Sequence, residues 1–81
     1  MNRFLILYTT SGCHLCEQAE NLIQRQTNIA FSAVEIADDA ELLERYGARI
    51  PVLQRLDTGE ELDWPFAVED VEGLLMAALR S

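Results

Sequence analysis

The stretch that most restricts the fold is "FLILYTTSGCHLCEQAENLIQ", residues 4 to 24. An apolar run ends in a cluster of turn formers, two cysteines follow with two residues between them, and a helix-like pattern begins. Residues 3 to 8 have the continuous apolar character of a strand buried on both faces, the kind found in parallel sheets. Thr9, Thr10, Ser11 and Gly12 bound it. From Leu15 the period changes. Leu15, Ala19, Leu22, Ile23 and Gln26 fall on one side of a helix, with Glu17, Glu20, Asn21 and Gln24 on the other, until Thr27 and Asn28 break it.

The remaining chain continues in short alternating units. "IAFSAVEI" (29–36) alternates and is rich in strand formers. Asp38 or Asp39 can cap a short helix through Tyr46, with Leu42, Leu43 and Tyr46 facing inward and Gly47 as the stop. "RIPVLQRL" (49–56) is strand-like apart from its proline, "DTG" (57–59) is a hairpin turn, and "EELDW" returns as a short edge strand. Val68, Val71, Leu74, Leu75, Ala78 and Leu79 recur at helical spacing, with Glu69, Asp70 and Glu72 near the positive N-terminal end. The order is β-α-β-α-β-β-α. A front strand–helix–strand unit takes a right-handed crossover and gives a parallel pair, and the rear hairpin adds an antiparallel one. The expected architecture is α/β: a four-stranded mixed sheet with helices on both faces.

Size and charge limit the function. A chain of 81 residues has room for one domain, residues 1–81, and buries only about 60% of the surface exposed on unfolding. The N-terminus is too short for a signal-peptide core, and no run approaches the roughly 20 apolar residues of a membrane span. A soluble, cytoplasmic, monomeric protein is expected. Six arginines face fourteen acidic residues, for a net charge of −8. Residues 1–30 balance to zero, so the whole excess lies in residues 31–81. Such a surface repels phosphate backbones and argues against nucleic acid partners.

Cys13 stands near the N-cap of the first helix, where backbone N–H groups lack partners and the dipole favours an anion. Thiols so placed have pKa values lowered from about 8.5 to between about 3.5 and 7.5. Cys16 lies about one turn on and deeper, beside Glu17, and ionises less readily. That asymmetry is what thiol–disulfide exchange requires: one thiolate attacks, and its protected neighbour resolves the mixed disulfide. Three other uses of the pair compete with this one. A structural disulfide over two intervening residues gains little entropy. Burial of both thiols conflicts with the polar turn "TTSGC". A soft-metal or cluster carrier lacks a second Cys pair and any histidine beyond His14 for a closed zinc site, although two-coordinate Cu(I) needs only two thiols. Such carriers run β-α-β-β-α-β, whereas this chain ends in a helix. A redox-dead interaction domain is the remaining alternative. His14 shares the helix N-terminus, whose field disfavours an imidazolium, so a neutral His14 is expected, with the backbone doing most of the activation.

With the strand, "CHLC", the helix and "RIP" in place, the chain resembles the thioredoxin superfamily, and within it the small glutaredoxin-like proteins. The resemblance implies a thioredoxin-like fold and dithiol–disulfide oxidoreductase activity. It implies Cys13 as nucleophile and Cys16 as resolving thiol, with Gly12 and His14 flanking the substrate. It also implies a cis Pro51 against the cysteines, with Ile50 offering its backbone to a substrate peptide or glutathione. Arg49 could serve a glutathione carboxylate. No bound cofactor is needed. Substrates would be disulfide-containing proteins or glutathione mixed disulfides, with electrons from glutathione as co-substrate or from a partner reductase. The chain departs from the family at several points. It has His14-Leu15 where glutaredoxins have Pro-Tyr, Thr10 where many have Lys, and "LDWPFAVED" in place of the Gly-Gly turn with Asp that binds the charged ends of glutathione. Trp64 and Phe66 in that segment are expected to pack the start of the last helix.

Overall fold

A computed structural model of the chain describes residues 5–27 and 29–79. Arg3 and Phe4 of the expected first strand, Asn28 of the helix break, and the inward side chains expected at Ala78 and Leu79 fall outside the described residues. The elements are β1 (Leu5–Thr9), α1 (His14–Gln26), β2 (Ser32–Glu35), α2 (Ala40–Tyr46), β3 (Val52–Arg55), β4 (Glu61–Asp63) and α3 (Val68–Leu79), with one 3-10 turn at Ile36–Asp38. The order is the expected β-α-β-α-β-β-α. The sheet runs β2-β1-β3-β4; β1 and β2 are parallel, and β3 is antiparallel to both β1 and β4. The fold is thioredoxin-like.

Alternation along β1 divides the core between the two faces of the sheet. Leu5 and Leu7 join Leu53 beneath α1 and α3, where they meet Ala19, Ile23, Phe66, Val71 and Leu74. Tyr8 and Val52 pack on the opposite face with Ile36 and Tyr46, helped by Ile6, Val34, Leu42 and Ile50. Trp64 packs on the first cluster and meets Phe66 edge to face at 5.1 Å, so both aromatics seat the start of α3.

Three side chains expected to face inward do not. Leu15 and Leu43 are 46% and 49% exposed, and Gln26 is exposed. The buried row of α1 is Cys16, Ala19 and Ile23, spaced 3 and 4, and Leu15 lies about 100° round the helix from Cys16. In α2 the inward positions are Leu42 and Tyr46, one turn apart, which turns Leu43 outward.

Two strands are shorter than their apolar runs. β3 starts only after Pro51, which has no N–H for the ladder. β2 is an edge strand, and Ile29 and Phe31 pack against the core before it begins. Asp39, not Asp38, caps α2, its Oδ1 accepting from the N–H groups of Glu41 and Leu42 at 2.9 and 3.2 Å. Gly47 ends α2 as expected but with φ −54°, not in the left-handed region. The N–H groups of Arg49 and Ile50 both turn back to the Tyr46 carbonyl, at 2.8 and 3.0 Å.

Candidate functional site

The sheet brings the sequence-predicted residues to one end. β1 leaves the sheet at Thr9, and the Thr10–Gly12 turn carries the chain into α1. Gly12 takes φ +76°, which a side chain would oppose. The antiparallel register pairs Tyr8 with Val52, so one step further sets Pro51 opposite Thr9. The Ile50–Pro51 peptide is cis, Pro51 is buried, and its carbonyl accepts from the Trp64 N–H at 3.2 Å. The parallel register pairs Thr9 with Glu35, which brings the end of β2 to the same place. Ligands in open α/β sheets bind outside such strand ends.

Cys13 is the N-cap of α1, in extended conformation. Its Sγ accepts the backbone N–H of Cys16 at 3.1 Å, so the sulfur occupies the position where an oxygen usually caps a helix. The two sulfurs are in disulfide contact, with Cα atoms 5.2 Å apart. Their surroundings differ. Cys13 is half-buried, whereas Cys16 is 1% exposed and belongs to the buried row of α1. Gly12, Cys13 and Cys16 line an open cavity of about 270 Å³ with Thr9, Thr10, Ser11, Glu17, Glu20 and Glu35. His14 and Leu15 are exposed beside it.

Arg49 stands apart from that cavity. Its guanidinium forms a two-pronged contact with Asp63, at 3.1 and 2.8 Å, and reaches Glu61 at 2.6 Å. It also lies over the Tyr46 ring, 5.2 Å from the centroid. Asp63 first, then Glu61, raises the already high pKa of Arg49. The cation proposed for a glutathione carboxylate is thus already engaged, and it ties the loop before Pro51 to β4. Tyr46 continues the network. It stacks on Tyr8 at 4.1 Å and donates its hydroxyl to Glu61 at 2.6 Å. Burial, followed by that hydrogen bond, pushes its pKa up to about 12.

One residue of the site was missed in the sequence. Glu35 presents its carboxylate to the turn before Cys13, accepting from both the N–H and the hydroxyl of Ser11 at 3.0 Å. The usable signal was its position as the last residue of a strand running parallel to β1.

The family model described as "Glutaredoxin-like domain (DUF836)" matches residues 4–76. The chain belongs to this family. Among solved structures, the X-ray structure of target protein XcR50 from X. campestris is 44% identical over 90% of this chain and 96% of that one, with a TM-score of 0.81. The solution structure of the same target covers 90% and 92% at the same identity, with a TM-score of 0.79. Protein Ne2328 from Nitrosomonas europaea is 29% identical over 93% and 92%, with a TM-score of 0.67. Comparison with curated proteins gave no match. A glutaredoxin-like domain with a Cys13–Cys16 pair fits a redox role. Among the described residues, no helix is long and apolar enough to cross a membrane.

Proposed function

We propose that the protein is a dithiol–disulfide oxidoreductase with Cys13 as nucleophile and Cys16 as resolving thiol. The observation that carries this is the pairing of a half-buried sulfur held on the Cys16 N–H with a second sulfur sealed in the core. The amide end of α1, with the Cys16 N–H directed at the sulfur, stabilises charge on Cys13, and burial of Cys16 favours its neutral form.

In the reduced protein the Cys13 thiolate attacks one sulfur of a substrate disulfide. The substrate S–S bond breaks, one substrate thiolate leaves, and a mixed disulfide forms on Cys13. Cys16 then gives up its proton and attacks the Cys13 sulfur, which closes the Cys13–Cys16 bond and releases the second thiolate. Two electrons pass from the protein to the substrate, and two glutathione molecules or a partner reductase restore the dithiol. The Ile50 backbone and Pro51 shape the groove for the incoming chain, and Gly12 and His14 flank it. No bound cofactor takes part, and the protein works as a cytoplasmic monomer. With Arg49 committed to Asp63 and Glu61, a protein disulfide is the favoured substrate over a small glutathione one.

Mass spectrometry tests the division of roles. Cys16→Ser is expected to form and accumulate the mixed disulfide, and Cys13→Ser to remain unmodified. Equal reactivity of the two variants would refute the assignment. Metal content after anaerobic purification separates this reading from a soft-metal carrier, and activity on a small model disulfide separates it from an interaction domain.

A further inference from the structure

The turn that delivers Cys13 to α1 is held by a residue 24 positions away. The turn's own hydrogen bond, from the Cys13 N–H to the Thr10 carbonyl, is 3.3 Å long. The two bonds from Ser11 to Glu35 Oε1 are shorter, at 3.0 Å each, and Oε2 takes the Ala37 N–H at 3.0 Å. The Thr10 hydroxyl is the largest influence lowering the Glu35 pKa to about 2, ahead of the Ala37 N–H, so the group is an acceptor at any pH where thiols react. The carboxylate therefore bridges the ends of both parallel strands, taking two donors from Ser11 on one side and the Ala37 N–H on the other. It shares a cavity with both cysteines.

We propose that Glu35 is a positioning residue for the dithiol: by anchoring Ser11 it keeps the Cys13 sulfur in reach of Cys16. Disulfide closure requires both sulfurs in one narrow geometry. Cys16 is fixed by the core, so the freedom left to the pair is that of the turn before Cys13. A loosened turn spreads Cys13 over arrangements that cannot close, and the closed form loses population relative to the dithiol. This is a property of the pair itself and goes beyond the catalytic reading, since it holds whether or not the protein turns over a substrate.

The test is the equilibrium in which the protein dithiol and oxidised glutathione give the protein disulfide and two reduced glutathione molecules. It is read by alkylation and mass in glutathione buffers, with Tm recorded alongside. Glu35→Ala is expected to lower the closure constant about tenfold, a shift of about 30 mV for two electrons. Ser11→Ala keeps the carboxylate and should lower it about two- to threefold. The double variant should be no worse than Glu35→Ala, and Glu35→Gln, which keeps one acceptor oxygen for Ser11, should fall between wild type and Glu35→Ala. A role through charge alone would make Glu35→Gln equal to Glu35→Ala and leave Ser11→Ala silent. A merely structural role would lower Tm with the constant unchanged. Either pattern overturns the proposal. Should Glu35→Ala fail to fold, Ser11→Ala and Glu35→Gln still decide it.

Discussion

Two arginines near the rear hairpin show how differently one residue type can be used. Arg49 is about one-third exposed where it meets Glu61 and Asp63, so solvent screens those pairs, and Arg49→Gln should cost about 1 kcal/mol or less. Arg55 is 5% exposed. It grips Asp57 through two contacts, at 2.9 and 2.6 Å, and donates to the Leu74 and Leu75 carbonyls of α3 at 3.1 and 2.8 Å. Removing it cuts the charged tie from β3 to the main chain of α3 and to Asp57, and Arg55→Leu should cost about 2–3 kcal/mol. Urea unfolding checks both: the Arg55 variant should show a much lower midpoint with an unchanged slope. The cysteines were legible because their spacing is itself a chemical pattern. The reach of Arg55 to α3 was not, because the groups it meets there are main-chain carbonyls some twenty residues away, and no side-chain pattern marks them.

Among the elements, order and type were readable, and facing was readable in part: Ala19, Ile23, Tyr46, Val71 and Leu74 are buried as expected, whereas Leu15 and Leu43 are not. A change of period from continuous apolar to helical marks each junction, and those changes survive folding. Which side of a two- or three-turn helix faces inward depends on where the first turn starts, and a shift of one residue turns the stripe by about 100°. The sequence places Leu15 in that stripe with Ala19 and Ile23; the structure keeps Ala19 and Ile23 and puts Cys16 in place of Leu15. The consequence is measurable. Ile23→Ala should cost about 3 kcal/mol through the cavity it leaves, whereas Leu15→Ala should lie within about 0.5 kcal/mol of wild type. Asp39→Ala, which removes two hydrogen bonds to the start of α2, should cost about 1 kcal/mol. Glu35 belongs to this scale too. Only the pairing of β2 alongside β1 brings it to Ser11, and a strand's neighbours are a choice of the whole sheet.

For the molecule as a whole, proton linkage sets the working range. Glu35, Asp57 and Asp63 all have lowered pKa values, caused first by hydrogen bonds from Thr10, Arg55 and Arg49 respectively. Burial pushes Glu61 up, but Tyr46 and Arg49 together outweigh it and leave it lowered. A depressed carboxyl stabilises the fold above its unfolded pKa and ceases to do so as the native group is protonated. Stability should therefore decline as pH falls from about 4.5 toward 2. Tyr46 acts in the opposite sense: its raised pKa, about 12, contributes stability below pH 10 that is lost as pH rises through 12. Urea midpoints at pH 7, 4, 2.5 and 11 should trace both flanks.

The sealed position of Cys16 joins folding to electron chemistry in a single thermodynamic cycle. Reduced and oxidised chains, folded and unfolded, form four corners, so the difference in folding free energy between the two redox forms equals the difference in reduction free energy between the folded and unfolded pair. A substitution at Ala19 or Ile23 that favours one redox form of the fold must move the potential by the same amount, although neither side chain carries a reactive atom. The hydrophobic core is, in that sense, one of the protein's redox controls.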